Sequence, residues 1–312
     1  MNNKEKLDLI KRNTEEIITE QELIKVLSKK SPIVYCGYEI SGPIHLGHFV
    51  TITKLMDFQK AGFKVKVLLA DLHTKLNKKT PEINAWKKTL EALNLKAEFV
   101  LGSTFQLKEP YIIDLLNLSQ QTTLNRGLRS MQEVARDIEN ATTSQIIYPL
   151  MQILDVKYLK ADVSLGGLDQ RKIYMLGREE SKITNHNFVA VHTPIITSLK
   201  GPGEKMSSSI PGSNISVIDD SETIKKTISK AYCPSSKIID NPILQICRLV
   251  IFPHLKKLII QRDEKFGGTI QYASYEDLEK DYSQGKLHPL DLKQTTAKSL
   301  EQIIAPIRKN FK

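Results

Sequence analysis

The 312-residue sequence has little cysteine: Cys36, Cys233 and Cys247 are odd in number, far apart and not at metal-ligand spacing. They read as reduced thiols, which leaves out a disulfide scaffold, predicts no metal centre and points to a cytoplasmic protein. No apolar run approaches the ~20 residues of a membrane-spanning helix, so no membrane partner is expected. The first residues, MNNKEKLDLIKRN, are charged where a signal peptide needs an apolar core, which argues against secretion. There is no internal repeat and no low-complexity tract. What is present is ordinary for a soluble globular chain, 40% hydrophobic and 26% charged, and long enough for one large domain plus a smaller one. The net charge of +10 and pI near 9.3 favour a polyanionic partner, with RNA or DNA first.

Along the chain, LDLIKRNTEEIITEQELIKVLSKK carries apolar residues at helical spacing, with Thr19 a cap before a second helix. PIVYCGYE reads as a buried strand, the loop ISGP follows, and a helix from about Ile44 ends at Gly62. FKVKVLLADL reads as a second strand, which completes a βαβ unit. PEINAWKKTLEALNL is an amphipathic helix, KAEFVLGS a third strand, and Tyr111 to Lys160 mostly helical before the strand-like NFVAVHTPII. This predicts an α/β fold: a Rossmann-type parallel sheet with a helical insertion. SLKGPGEKMSSSIPGSN, rich in Gly, Ser and Pro, reads as a mobile loop, and the segments beyond it as helical.

Two short motifs carry chemistry. His45 and His48 flank Gly47 in HLGH, at the start of the helix after strand one. Ligands of open α/β sheets bind at the carboxyl ends of strands, and the first turn of a helix already favours an anion. Imidazoles at i and i+3 add donors to that turn, and Gly47 lets a flat ring approach the backbone. The pattern points to a nucleotide, with phosphates on the histidines and the base on Gly47. A zinc site would want a third ligand and HExxH spacing, and HLGH has neither. A packing role for one histidine stays open on this motif alone. The second motif is EKMSSS, Glu204 to Ser209, in the glycine-rich loop. Lys205 supplies a point charge for phosphate, and the serines supply small donors. The two motifs together favour an ATP site.

HLGH and KMSSS resemble the two signatures of class I aminoacyl-tRNA synthetases. The wider stretches YCGYEISGPIHLGH, LLADLHTKLN, IIYPLMQILDVKYLKADVSLGGLDQRK and LHPLDLK resemble tyrosyl-tRNA synthetases of the archaeal and eukaryotic type, over nearly the whole chain. The resemblance implies residues 1–212 as a catalytic Rossmann domain with an insertion at about 108–160, and 213–312 as a mainly α-helical anticodon-binding domain. It implies activation of tyrosine with ATP to tyrosyl-adenylate, Mg2+ accompanying the ATP, then transfer to the 3'-terminal adenosine of tRNA(Tyr) by a homodimer.

Residue by residue, the resemblance implies that Tyr35 and Asp155 grip the substrate phenol. A substrate lacking the hydroxyl would leave both unpaired, at a cost on the order of 1–3 kcal/mol per group. Tyr148, Gln152 and Gln170 match the surroundings of the amino group, and Leu68, Asp71 and His73 lie where strand two opens toward the pocket. The catalytic set is His45, His48, Lys205, Ser207 and Ser208. Gly37, Gly47, Gly167, Asp169 and Met206 complete the ATP set. Arg129, Arg171 and Lys172 match acceptor-stem contacts, and Phe266, His288 and Asp291 match anticodon readers. Ile40 stands where the family often has proline, Pro43 where a polar residue is common, and Ser208 where KMSKS has lysine. A tryptophanyl-tRNA synthetase, a small nucleotidylyltransferase and a non-catalytic RNA-binding relative are the competing readings. Asp155 paired with Tyr35, the basic C-terminal third and the intact motifs argue against them in turn.

Overall fold

The computed structural model describes residues 1–133, 142–207 and 210–309. The chain begins with α1 (Asn3–Lys11), β1 (Glu16–Ile18) and α2 (Glu20–Leu27), followed by β2 (Ile33–Tyr38) and α3 (Leu46–Lys60). Then come β3 (Lys64–Leu69), α4 (Asp71–Leu76), α5 (Ile83–Ala92), β4 (Ala97–Leu101) and α6 (Ser103–Gln106). The helical excursion is α7 (Glu109–Gln121), α8 (Leu124–Ser130) and α9 (Thr143–Tyr158). The sheet resumes with β5 (Val163–Gly167), α10 (Arg171–Glu179), α11 (Ser181–Thr184) and β6 (Val189–Thr193).

The six strands lie in the order β1-β6-β5-β2-β3-β4, all neighbours parallel except β1 on β6. The chain runs outward from β2 to β4, then returns to place β5 on the other side of β2. The topological switch point therefore falls between β2 and β5, where Tyr35 pairs with Ser164. Two expectations are corrected here. The first thirty residues are not helical throughout, because Ile17 and Ile18 form a short strand on the open edge of β6. β-branched residues beside an unpaired edge override the local helical period. Thr19 caps α2 as expected, in a capping box with Glu22. The second correction is β5: the stretch VSLGG is a buried central strand that its paired glycines disguise.

Contacts divide the chain into two compact units. The first holds Met1–Gly42, Lys54–Lys87 and Asn94–Pro194; the second holds Pro43–Thr53, Lys88–Leu93 and Ile195–Lys312. This division lies at Ile195, ahead of residue 212, for a local reason. Residues 213–217 are stitched to the HLGH segment: Leu46 N–H donates to Ile215 O (2.9 Å) and Val217 N–H to Ile44 O (2.9 Å). In the first unit, one core surrounds Tyr35, Leu68, Val156 and Tyr174, and another surrounds Tyr111, Leu150, Leu154 and Ile173. The second unit continues through α12 (Ser221–Lys230), α13 (Pro242–Ile246), α14 (Phe252–Leu255), β7 (Leu258–Ile260), β8 (Ile270–Tyr272), α15 (Tyr275–Ser283) and α16 (Pro289–Arg308). It is mainly helical as expected, with a two-stranded antiparallel ribbon, β7–β8, that three-residue strands hide from pattern reading.

Candidate active site

In the first unit, β2 carries Tyr35 and α9 carries Asp155, both buried. Leu150, Met151, Ile153 and Leu154 are also buried, so α9 is embedded on several sides and can present Tyr148, Gln152 and Asp155 only within the protein. Asp155 Oδ1 accepts hydrogen bonds from Gln106 Nε2 (2.8 Å) and Tyr111 Oη (2.9 Å). Its other oxygen, Oδ2, is buried without a partner. Burial pushes the Asp155 carboxyl up to about 7, against the two bonds that lower it. An unpartnered buried carboxylate oxygen is expensive unless a ligand satisfies it. Burial likewise holds the Tyr35 phenol well above its usual range, with Tyr174 and Asp155 adding to the effect.

Gln106 and Tyr111 were not foreseen. They come from α6 and α7, at the start of the insertion, and no spacing relates them to Asp155. Only a buried polar residue in an apolar helix, such as Tyr111 in EPYIIDLL, offers a signal.

Gly37 stands two residues after Tyr35 on the same face of β2. A Cβ there would lie 2.6 Å from Tyr35 Oη, so this glycine makes room for the phenol. Gly166 does the same beside β5, since a Cβ would lie 3.0 Å from Gln170 Cγ and from Tyr174 Cε2. Gly167, in contrast, has an ordinary extended backbone (φ −66°, ψ 162°) open to any residue. Gln152 Nε2 donates to Gln170 Oε1 (3.1 Å), which joins α9 to the 3-10 turn carrying Asp169 and Gln170. His73 packs edge-on against Tyr148, with ring centroids 4.4 Å apart and planes at 83°. Both His73 ring nitrogens are buried without hydrogen-bond partners, and burial pushes the ring down to about 4. Leu68 is core, packed in the Tyr35 cluster. Asp71 accepts from Ser103 N–H (3.0 Å), which ties the start of α4 to the start of α6.

The two sequence motifs meet in the second unit. His45 pairs with Ser216 in an isolated antiparallel bridge, directly before α3. Gly47 N–H donates to His45 Nδ1 (3.1 Å), and His45 N–H donates to His48 Nδ1 (3.2 Å). A backbone N–H can only donate, so both Nδ1 atoms are bare and both rings carry their proton on Nε2. The rings lie 3.9 Å apart. Burial pushes His45 down to about 4; burial and then the neighbouring His45 hold His48 well below the usual range. The pair is therefore neutral near pH 7, with two Nε2–H donors. A Cβ on Gly47 would lie 2.8 Å from His45 Cε1 and 3.9 Å from Met206 Cβ. Gly47 thus leaves room for the His45 imidazole beside the backbone.

Met206 is buried and its N–H donates to Ile196 O (3.0 Å), while the exposed Lys205 bridges Thr197. Ser207 O accepts from Ser213 Oγ (2.6 Å) and Asn214 Nδ2 (2.5 Å). The motif is therefore fastened as far as Ser207. Ser208 lies outside the described residues.

Arg129 is exposed on α8. Arg171, first in α10, forks onto Glu16, with Nε 2.7 Å from Oε2 and Nη2 3.0 Å from Oε1. Lys172 reaches Gln132 Oε1 (2.9 Å) and Glu133 Oε1 (3.1 Å). In the second unit, Phe266 is 63% exposed with Lys265 Nζ 4.9 Å from its ring centre. His288 caps α16 through Nδ1, which accepts from Leu290 N–H (3.2 Å), and Asp291 sits in the same first turn. Further along that helix, a groove of about 280 Å³ between α12 and α16 is floored by Leu290 and Ala297 and also lined by Lys225, Lys293 and Lys298.

The family model described as tRNA synthetases class I (W and Y) matches residues 27–305. A tyrosine–tRNA ligase of Archaeoglobus fulgidus is 48% identical, covering 98% of each chain, and one of Methanoculleus marisnigri is 48% identical, covering 96% of each. The solved tyrosyl-tRNA synthetase of Archaeoglobus fulgidus, complexed with L-tyrosine, superposes with a TM-score of 0.95 at 48% identity over 100% of both chains. That of Aeropyrum pernix gives 0.89 at 36% identity, covering 99% of this chain and 95% of its own. A tryptophanyl-tRNA synthetase of Giardia lamblia, 17% identical, shares the fold with a TM-score of 0.69 over 93% of this chain and 82% of its own. With near-full-length relatives and a family match from residue 27 to residue 305, the chain belongs to the class I tRNA synthetases of the tryptophan and tyrosine group.

Proposed function

We propose that the chain is a tyrosine–tRNA ligase. It activates tyrosine with ATP to tyrosyl-adenylate, releases pyrophosphate, and transfers the tyrosyl group to the 3'-terminal adenosine of tRNA(Tyr). The observation that carries this reading is the buried, unpartnered Oδ2 of Asp155, whose sister oxygen is already held by Gln106 and Tyr111. A substrate phenol donates to Oδ2, and Tyr35 is its second polar neighbour. Tyr148, Gln152 and Gln170 receive the amino group, with His73 and Leu68 as walls.

The tyrosine carboxylate attacks the α-phosphorus of ATP, and the bond to the pyrophosphate oxygen breaks. The tRNA ribose hydroxyl then attacks the tyrosyl carbonyl, and adenylate leaves. No protein nucleophile is required, so the protein's contribution is positioning and stabilisation of charge at the phosphorus. Neutral His45 and His48 donate Nε2–H to phosphate oxygens, and Lys205 adds a full charge. Ser207 and Ser208 extend the donor set, with Gly37, Gly47, Gly167, Asp169 and Met206 as the other nucleotide contacts. Among the described residues no three His, Cys, Asp or Glu side chains gather to hold a metal, so Mg2+ enters the proposal only as a companion of ATP.

Arg129, Arg171 and Lys172 serve the tRNA acceptor end, and Phe266, His288 and Asp291 the anticodon, within an anticodon domain spanning 213–312 that follows a catalytic domain spanning 1–212. The net charge of +10 favours a polyanion. A homodimer is favoured by the apolar stripe Ile112, Ile113 and Leu116 on α7, which are 38%, 49% and 57% exposed. No helix among the described residues is long and apolar enough to cross a membrane, and the cytoplasm is the proposed location. The test is charging of tRNA with labelled tyrosine by the purified chain. Charging with tryptophan in place of tyrosine would overturn the proposal.

A further inference from the structure

The sequence reading gave β1 no role, yet this three-residue strand sets Glu16 in cross-strand register with His192 on β6. His192 is fully buried, and its Nδ1 lies 3.3 Å from Glu16 Oε2. The same carboxylate grips Arg171 with two parallel hydrogen bonds, 2.7 Å to Nε and 3.0 Å to Nη2. Arg171 directly follows the turn that carries Asp169 and Gln170. Neither ring nitrogen of His192 makes a hydrogen bond and burial pushes the ring down to about 4, so this neutral imidazole only adjoins the carboxylate, and the fork from Glu16 is what fixes the Arg171 guanidinium beside the turn carrying Gln170.

We propose that Glu16, held in place by the pairing of β1 with β6, is a positioning residue that aims Arg171 at the acceptor end of tRNA. The proposal rests on the tRNA role proposed for Arg171 above. A forked carboxylate compensates much of the guanidinium charge. It also fixes the plane of the group, and with it the direction of the remaining N–H bonds. An arginine held this way is suited to directional hydrogen bonding rather than bulk phosphate attraction. Lys172 makes a contrast: its single ammonium touches Gln132 and Glu133 without a fork, and no plane is fixed. The bland alternative is that the Glu16 bridge merely fastens the N-terminal strand to the sheet.

The test compares E16Q, R171A, R171K and E16Q/R171A by tRNA charging and by ATP–pyrophosphate exchange without tRNA. Positioning predicts that E16Q raises the KM for tRNA roughly tenfold, about the weight of one charge-assisted hydrogen bond. Tyrosine-dependent exchange should stay at the wild-type level. R171K, which leaves β1 untouched, should be impaired as much as R171A, and the double variant no more than R171A alone. Exchange falling in step with charging in E16Q would mean a structural clamp and overturn the proposal. Wild-type tRNA KM in R171K would show that charge suffices, which also overturns it. If R171A is impaired but E16Q is not, Arg171 keeps its tRNA role and the positioning is refuted. If R171A itself charges normally, the tRNA reading of Arg171 falls first.

Discussion

Replacing Asp155 with asparagine separates what the phenol site costs from what it does. In the folded protein, burial lifts the Asp155 carboxyl from 3.8 to about 7 despite the bonds from Gln106 and Tyr111. The unfolded chain releases that proton near 3.8. Between the two values the folded state binds a proton that the unfolded state lacks, so stability falls as pH rises. The contribution is full below pH ~4, is lost by about pH 7, and is constant above that. The slope is about 1.4 kcal/mol per pH unit, and the whole span amounts to about 4 kcal/mol. The D155N side chain does not titrate, but it keeps the shape and an acceptor for Gln106 and Tyr111. Urea unfolding of both proteins from about pH 4.5 to about pH 8 should show the stability of D155N minus wild type growing with pH, then levelling near pH 7. Saturating tyrosine should favour the wild type and narrow the gap, because the substrate phenol then satisfies Oδ2. The same variant should lose its preference for tyrosine over phenylalanine. A stability difference that is flat across this range would show that Asp155 is ionised in the folded protein at no cost.

His48→Ala removes one neutral Nε2–H donor and the acceptor for His45 N–H; ATP–pyrophosphate exchange should fall by about 10²–10³ with tyrosine affinity unchanged, and equal loss of both would mark a structural histidine. Because burial holds His45 near 4, its proton state does not limit exchange between about pH 5.5 and 8; a rate that collapses below pH 6.5 in step with one histidine would contradict the neutral pair. Tyr111→Phe leaves Asp155 with Gln106 alone, so tyrosine KM should rise roughly tenfold with ATP KM unchanged. Lys54 is buried beside Asp57, and its Nζ donates to Ile10 O (2.8 Å) and Arg12 O at the end of α1. Lys54→Met strands those carbonyls and should cost about 3–5 kcal/mol in chemical denaturation; a loss under about 1 kcal/mol would show the ammonium is dispensable.

Elements whose pattern is local were readable before the structure. β2, α3 and β3 follow from an apolar strand, a glycine-ended helix and a second apolar strand, and HLGH at the head of α3 follows from them. β1 was hidden because its pairing partner lies about 170 residues away in β6, and nothing local distinguishes EEIIT from a helical turn. β5 was hidden by its paired glycines, of which Gly166 makes room for Gln170 and Tyr174 rather than forming a turn. The phenol site was half legible. Tyr35 and Asp155, the proposed phenol contacts, could be named, but Gln106 and Tyr111 reach Asp155 through space and have no sequence signature. The glycines also shifted in meaning. Gly37 and Gly47 invite a reading as nucleotide contacts, and in the structure each also makes room for a neighbouring ring, of Tyr35 and of His45.

The central claim is that the chain activates tyrosine. ATP–pyrophosphate exchange, measured with tyrosine, phenylalanine and tryptophan one at a time, tests it most directly. Exchange is expected with tyrosine, little with phenylalanine, and none with tryptophan. Exchange with tryptophan alone, or with no amino acid, would contradict it.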